Sequence, residues 1–238
     1  MRYILIGRGR MGSLIQETAK AAGDELQASF DEFDMDQLGR LGKVADVVID
    51  FSRPEALPEI ASYVQRTGTA LVSGTTGFSP EQLARIEALG ACAPVLWSAN
   101  YSLGVAVLYR ALKEVSGVLK PDFDIELTET HHNQKADAPS GTAKLLLEAI
   151  DPAHALTPVY GREGVPGKRQ KNEVGIHALR GGTVAGTHTV HFFGPDEELE
   201  FTHRAASRQI FVNGALHMAH LLPGKPKGFY SLQKILFG

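Results

Sequence analysis

Tyr3-Ile4-Leu5-Ile6-Gly7-Arg8-Gly9-Arg10-Met11-Gly12 is the stretch that decides the fold. Its first four residues are an unbroken apolar run, the pattern of a strand buried on both faces of a parallel sheet. The next six fit G-x-G-x-x-G. Beyond them Met11, Leu14, Ile15, Ala19 and Ala22 recur at helical spacing as far as Gly23, a suitable stop. A glycine turn alone is a weak signal. Here it lies between a strand and a helix, and a second apolar run, Leu26 to Phe30, ends in Asp31, nineteen residues after Gly12. That is the context of a dinucleotide-binding turn. Its glycines admit a pyrophosphate close to the backbone, and the helix N-terminus faces the charge. Gly7, Arg8, Gly9, Arg10, Met11, Gly12 and Asp31 are therefore expected to bind an NAD-type cofactor.

The alternation continues outward. Val44 to Phe51 reads as a strand, and Ser52-Arg53-Pro54-Glu55 as a capping box opening a helix to about Thr67. Thr69 to Ser73 is a strand, Ser79-Pro80-Glu81-Gln82 opens a helix that stops near Gly90, and Pro94 to Trp97 is a further strand. Repeated strand–helix units predict an α/β fold with a Rossmann-like, doubly wound parallel sheet. Ligands of such sheets lie outside the C-terminal strand ends. Gly74, Thr75, Thr76, Ser98, Ala99, Asn100 and Tyr101 occupy such ends and are expected near the nicotinamide half of the cofactor.

From about Tyr101 the pattern changes. Leu103 to Leu119 reads as one long helix, Asp124 to Glu129 as a half-buried strand, and Thr142 to Ile150 as a helix. Ile176–Leu179, Thr187–Phe193 and Glu198–His203 are strand-like, which predicts a second, α+β domain with a mixed or antiparallel sheet. Ile210 to Leu222 is helical, and the tail is expected to return to the first domain. The expected division is residues 1–100 with 213–238 for the cofactor, and 101–212 for substrate binding and oligomerisation. Gly161 to Lys171 reads as an exposed mobile loop whose basic run is a solvated face.

The chemistry is concentrated in Glu129-Thr130-His131-His132-Asn133-Gln134-Lys135-Ala136-Asp137-Ala138-Pro139-Ser140-Gly141-Thr142. Adjacent strand residues point to opposite faces, so one of His131 and His132 can face a cleft while the other packs. An imidazole exchanges protons near neutral pH. Lys135 can hold an anion. Ser140 can cap a helix whose first residues, Gly141 and Thr142, offer backbone N–H groups to a carboxylate. Proton donor and anion clamp together point to an enzyme acting on a small acidic substrate. The remaining histidines do not suggest a metal: His188 and His191 face opposite sides of a strand, and His217 and His220 share a helix face without a third ligand. A formal charge of −3 offers no footprint for nucleic acid. Cys92, the only cysteine, reads as a buried thiol and suits a reducing cytoplasm. No apolar run approaches membrane-spanning length, and the first residues do not form a signal peptide.

The same stretch, extended to Ala143, resembles the E-x-H-H-x-x-K-x-D-A-P-S-G-T-A signature of the dihydrodipicolinate reductase family. The likeness extends to Asp50-Phe51-Ser52, Gly74-Thr75-Thr76-Gly77, Ala99-Asn100-Tyr101-Ser102, Arg180-Gly181-Gly182 and Asn213-Gly214-Ala215. One departure is the glycine turn, a residue shorter than the G-x-x-G-R-M-G of many members. The resemblance implies His131 as proton donor, Lys135 as a second donor or carboxylate partner, His132 as a substrate contact, and Gly141 and Thr142 as the carboxylate clamp. It implies hydride transfer from NADH or NADPH to a cyclic imine dicarboxylate in lysine and diaminopimelate synthesis, by a cytoplasmic homotetramer. Asp31 followed by Glu32 leads us to expect a modest preference for NADH. Two alternatives stay open on the residues alone: another imine or amino-acid dehydrogenase, and a non-catalytic nucleotide-sensing regulator.

Overall fold

The N-terminal apolar run is strand β1 (Arg2–Ile6), in which Tyr3 to Ile6 are completely buried. The computed structural model describes residues 1–238. After the glycine turn come helix α1 (Arg10–Ala21), β2 (Glu25–Phe30) and β3 (Val47–Asp50). Helix α2 (Leu57–Thr67) follows and ends on Gly68, whose φ of 65° is a left-handed cap. Then come β4 (Ala70–Ser73), α3 (Pro80–Ala88) and β5 (Pro94–Trp97). At α3 the anticipated capping box is present, with Ser79 and Gln82 reciprocally bonded. At Ser52 it is not. Asp50 is buried at the end of β3 and recruits the nearby hydroxyls, so Ser52 Oγ donates to it (2.5 Å), as does Ser73 Oγ (2.7 Å). A short 3₁₀ turn, Pro54–Ala56, then leads into α2 without a side-chain cap.

The second unit runs α4 (Leu103–Leu119), β6 (Asp124–His131), α5 (Gly141–Ile150), β7 (Thr157–Val159), β8 (Glu173–Arg180), β9 (Gly186–Gly194) and β10 (Glu197–Ala205). Its five strands lie in the order β10-β9-β6-β8-β7. β9 is antiparallel to both β10 and β6, and β8 is parallel to β6 and β7, so the sheet is mixed. Leu108 and Leu112 of α4 and Leu146 and Ile150 of α5 pack with Ile125 and Leu127 of β6 and with Val174, Val190 and Phe192. Strict alternation along β6 therefore puts Ile125, Leu127, Glu129 and His131 on the buried face.

The loop over residues 161–171 differs in part from expectation. Arg162 forks onto both oxygens of Glu126 (2.9 and 2.9 Å), and Arg169 reaches Glu126 (3.1 Å) and Asp124 (2.9 Å). Burial would raise the Glu126 carboxyl, but Arg162, His177 and Arg169 outweigh it and hold it at about 2. Sequence distance hid these acidic partners, so Arg162 and Arg169 clasp β6, while the rest of the loop, Lys168 and Lys171 included, is exposed as expected.

The chain then re-enters the first unit through α6 (Gln209–Leu221), β11 (Gly228–Tyr230) and α7 (Leu232–Phe237). β11 pairs in parallel with β5, completing a six-stranded parallel sheet in the order β11-β5-β4-β3-β1-β2. On one face, Ile4, Ile6, Val48, Leu71 and Val95 pack with Ile60 and Val64 of α2 and Ile86 of α3. One smaller reading is corrected: Cys92 is half-buried, not buried, where the coil before β5 meets the surface. His217 and His220 are exposed on α6, with His220 Nε2 3.0 Å from Asp24. The chain divides into two units, Met1–Ser102 with Gln209–Gly238, and Leu103–Arg208.

Candidate active site

In the first unit the glycine turn lies at the C-terminal end of β1. Gly7 has φ 99°, and a Cβ there would collide with the carbonyl of Phe51; one at Gly12 would collide with the carbonyl of Gly7. Both glycines are needed for the turn itself. Gly9 differs, because a Cβ there would meet nothing within 4 Å. Gly9 is also the N-cap of α1, and no side chain caps that helix. An open approach to an uncapped helix N-terminus fits a pyrophosphate.

Beside the turn is a cleft of about 540 Å³, lined by Gly7, Arg8, Gly9, Asp31, Glu32, Phe33, Phe51 and Arg53 among others. Its arginines are paired with acids. Arg8 bonds Asp31 (3.1 Å), Asp34 (2.7 Å) and the carbonyl of Ser29, and Arg53 bonds Glu32 (2.7 Å). Arg10 is exposed and Met11 half-buried at the helix start.

Gly74, Thr75 and Thr76 follow β4, and Ser98 to Tyr101 follow β5. Thr75 Oγ1 accepts from Ser52 N (2.9 Å), and the Thr75 carbonyl accepts from Trp97 Nε1 (2.8 Å). Tyr101 is buried, with its hydroxyl donated to the Ser73 carbonyl (2.8 Å). These two side chains are thus committed to holding the loops, while Thr76 and Ala99 are exposed.

In the second unit His131 is the last residue of β6, and its ring is 11% exposed. Its Nδ1 lies 2.6 Å from Glu129 Oε2. Glu129 is wholly buried two residues earlier on the same face. Removing a carboxylate from water costs several kcal/mol. Four donors offset that cost: His131 Nδ1, Ser140 N (3.0 Å) and both terminal nitrogens of Arg180 (2.8 and 2.8 Å). Burial pushes the Glu129 carboxyl up, but Arg180, His131 and the Ser140 N–H prevail and keep it below the ordinary carboxylate range. It is ionised at neutral pH. With Nδ1 committed to Glu129, the exchangeable nitrogen of His131 is Nε2. That atom points toward Gly186, where a Cβ would come within 3.1 Å of it.

His188, paired with Glu129 across β6 and β9, packs edge-on against His131 at 5.0 Å between ring centroids. Burial, followed by the neighbouring His131, lowers it to about 4, so it is neutral at pH 7. Its Nε2 meets Ser140 Oγ (2.9 Å), and Ser140 Oγ also caps α5 by accepting from Ala143 N (3.1 Å). Gly141, the first residue of α5, is exposed and a Cβ there would meet nothing; Thr142 follows half-buried. Lys135 is held by Asp137 (2.7 Å), whose carboxyl it keeps low. His132 lies past the strand end, half-buried, with its backbone N–H on Val184 (2.8 Å).

His131 is thus brought together with Ser140 and the start of α5 through Glu129. The sequence reading missed the roles of Glu129, Arg180 and His188. Glu129 was discoverable, because i and i+2 on a strand share a face. Arg180 and His188 come from other strands and carried no local signal.

A parallel doubly wound sheet with an open glycine turn, in one chain with an imidazole held on a buried carboxylate, defines an NAD(P)H-dependent oxidoreductase. Family models described as the N-terminus and the C-terminus of dihydrodipicolinate reductase match residues 1–101 and 104–236. The chain belongs to the dihydrodipicolinate reductase family. It is 42% identical to the 4-hydroxy-tetrahydrodipicolinate reductase of Clostridium tetani, over 99% of this chain and 97% of that one. To the enzyme of the same name from Exiguobacterium sp. it is 40% identical, over 99% and 95%. Among solved structures, a dipicolinate-bound dihydrodipicolinate reductase from Paenisporosarcina sp. shares the fold, with TM-score 0.79 at 21% identity over 100% of this chain and 99% of that one. The diaminopimelate dehydrogenase of C. glutamicum is more distant, with TM-score 0.56 at 11% identity over 98% and 93%.

Proposed function

We propose that the protein reduces the dihydrodipicolinate-type cyclic imine, formed from 4-hydroxy-tetrahydrodipicolinate, to tetrahydrodipicolinate in lysine and diaminopimelate synthesis. The observation that carries this reading is His131, its Nδ1 held by an ionised buried carboxylate, tied through that carboxylate to a Ser140-capped helix start. Full-length relatives of that activity support it. The reduced nicotinamide supplies a hydride, and the reduced ring then needs a proton. His131 is the donor, through Nε2. Lys135 and the backbone of Gly141 and Thr142 hold a substrate carboxylate, and His132 contacts the substrate. Fixed cationic and N–H partners suit a dianion.

The first unit holds the cofactor, at Gly7 to Gly12 and Asp31, with Gly74–Thr76 and Ser98–Tyr101 toward its nicotinamide end. NADH is modestly favoured. A 2′-phosphate would have to draw Arg8 away from Asp31 and Asp34, or Arg53 away from Glu32, before gaining a cation. The second unit carries the substrate residues and the contacts of a homotetramer, the enzyme working in the cytoplasm. The test is the loss of reduced-nicotinamide absorbance when the purified protein meets substrate generated in situ by the upstream aldol enzyme. No oxidation with either cofactor would overturn the assignment.

A further inference from the structure

The structure assigns Glu129 and Arg180 as a pair of positioning residues: Glu129 aligns both the proton-donating imidazole of His131 and the carboxylate-binding start of α5, and Arg180 sets how strongly it does so. The inference rests on the proposed role of His131. Glu129 Oε2 is shared between His131 Nδ1 (2.6 Å) and Arg180 Nη1 (2.8 Å). Glu129 Oε1 is shared between Ser140 N (3.0 Å) and Arg180 Nη2 (2.8 Å). One oxygen therefore serves the donor and the other serves the N-cap of the helix that meets the anion, with Arg180 forked across both.

Arg180 is itself anchored, donating to the carbonyls of Asp137 (2.7 Å) and Leu179 (2.7 Å). It stands opposite His131 in the β6–β8 register. This geometry has two consequences. An acceptor at Nδ1 keeps the proton there and leaves Nε2 to exchange, as an orienting carboxylate does for a catalytic histidine elsewhere. The shared Oε2 also makes Arg180 and His131 compete for the same negative charge, so Glu129 and Arg180 act on His131 with opposite sign. The other charged or titratable groups around the cluster are His188 of β9, with His203 of β10 near it, and the Lys135–Asp137 pair of the following loop. Lys135 and Asp137 offset each other.

The test follows His131 by nitrogen NMR in the full-length protein, reading tautomer and titration midpoint without reference to catalysis, and sets beside it the pH profile of kcat/KM. Glu129→Gln removes the charge and should lower the His131 midpoint by about 1 unit or more, because an adjacent opposite charge moves a midpoint by about 1–3 units. The neutral ring should lose its preference for the Nδ1–H tautomer. Arg180→Met removes the competing cation and should move the midpoint up. The alkaline fall of kcat/KM should shift the same way in each variant, and kcat/KM in Glu129→Gln should drop on the order of 10²-fold through misplacement. Glu129→Asp keeps the charge and should restore part of the midpoint; it also serves if Glu129→Gln does not fold. Unchanged midpoints and tautomer in the Gln and Met variants would overturn the inference. If the midpoints move as stated while the kcat/KM profile stays where it was, the positioning stands and His131 loses its role as donor.

Discussion

Around Gly7–Gly12 the groups presented to a ligand belong to the backbone: an uncapped helix N-terminus approached over Gly9, with Gly7 and Gly12 packed too tightly to carry a Cβ. Around Glu129–His131 they are side chains, and the identity of each one decides what its neighbour can do. Both regions suit negatively charged ligands. A backbone cradle is made from shape and local dipoles, so small residues suffice and charge contributes little. A proton donor needs a tuned titration, which only a set of charged and polar side chains in a fixed arrangement can supply. Substitutions in the two regions should therefore fail differently, the first in cofactor affinity and the second in turnover and pH response.

The sharpest separation is expected from His131→Gln. Turnover should fall on the order of 10²–10⁴-fold, the usual consequence of losing a general acid, while NADH affinity measured by fluorescence titration stays at the parent value. A variant that keeps near-normal kcat, with its fold intact, would break the comparison and place the acid elsewhere.

Lys135→Ala comes next. Losing a charge-assisted contact is worth about 1.5–3 kcal/mol, and that loss should appear in kcat/KM with no effect on cofactor binding. Survival of both substrate affinity and turnover would leave the anion to Gly141 and Thr142 alone.

A pH effect on stability should belong to the second region. An unfolded histidine titrates near 6.5, whereas buried His188 titrates at about 4. Between those values the unfolded chain binds more protons, so stability present at pH 7 is lost as the pH falls. The contribution between pH 7 and pH 5 is about 2 kcal/mol. Denaturant unfolding at the two pH values should show a smaller difference in His188→Asn than in the parent. Equal differences would mean that His188 does not carry the effect.

The smallest expected effects lie in the backbone cradle. Gly9→Ala has room for its Cβ in the free protein, so Tm should be unchanged while NADH binds about tenfold more weakly, or about 1.4 kcal/mol. A shift in Tm would show that Gly9 serves the turn and not the ligand. A similar factor, about tenfold in kcat/KM, should separate NADH from NADPH at fixed ionic strength. A clear preference for NADPH would mean that Arg8 leaves Asp31 and Asp34 more readily than their geometry suggests.

Much of this protein was determined by its sequence alone. The β1–turn–α1 unit, the parallel alternation through β5, the span of α4, the Ser79 capping box and the Ser140 cap follow from local rules. Burial periodicity, glycine conformation and the capping of backbone N–H groups all act within a few residues, so they are written in adjacent positions. The stretch from Glu129 to Thr142 likewise singled out His131 and the α5 start, which meet through Glu129. What the sequence could not supply was whatever depends on partners far along the chain. Ser52 was drawn from its capping role by buried Asp50 and its hydrogen-bonding needs. The basic run from Gly161 to Lys171 found Glu126 and Asp124 some forty residues upstream. Arg180, fifty-one residues from Glu129, became its counter-ion because β8 lies parallel to β6. His188 was pressed against His131 because β9 lies antiparallel on the other side. Strand order and register set those meetings, and a buried carboxylate is stable only where they occur, so the charge state of the site was decided by the tertiary structure.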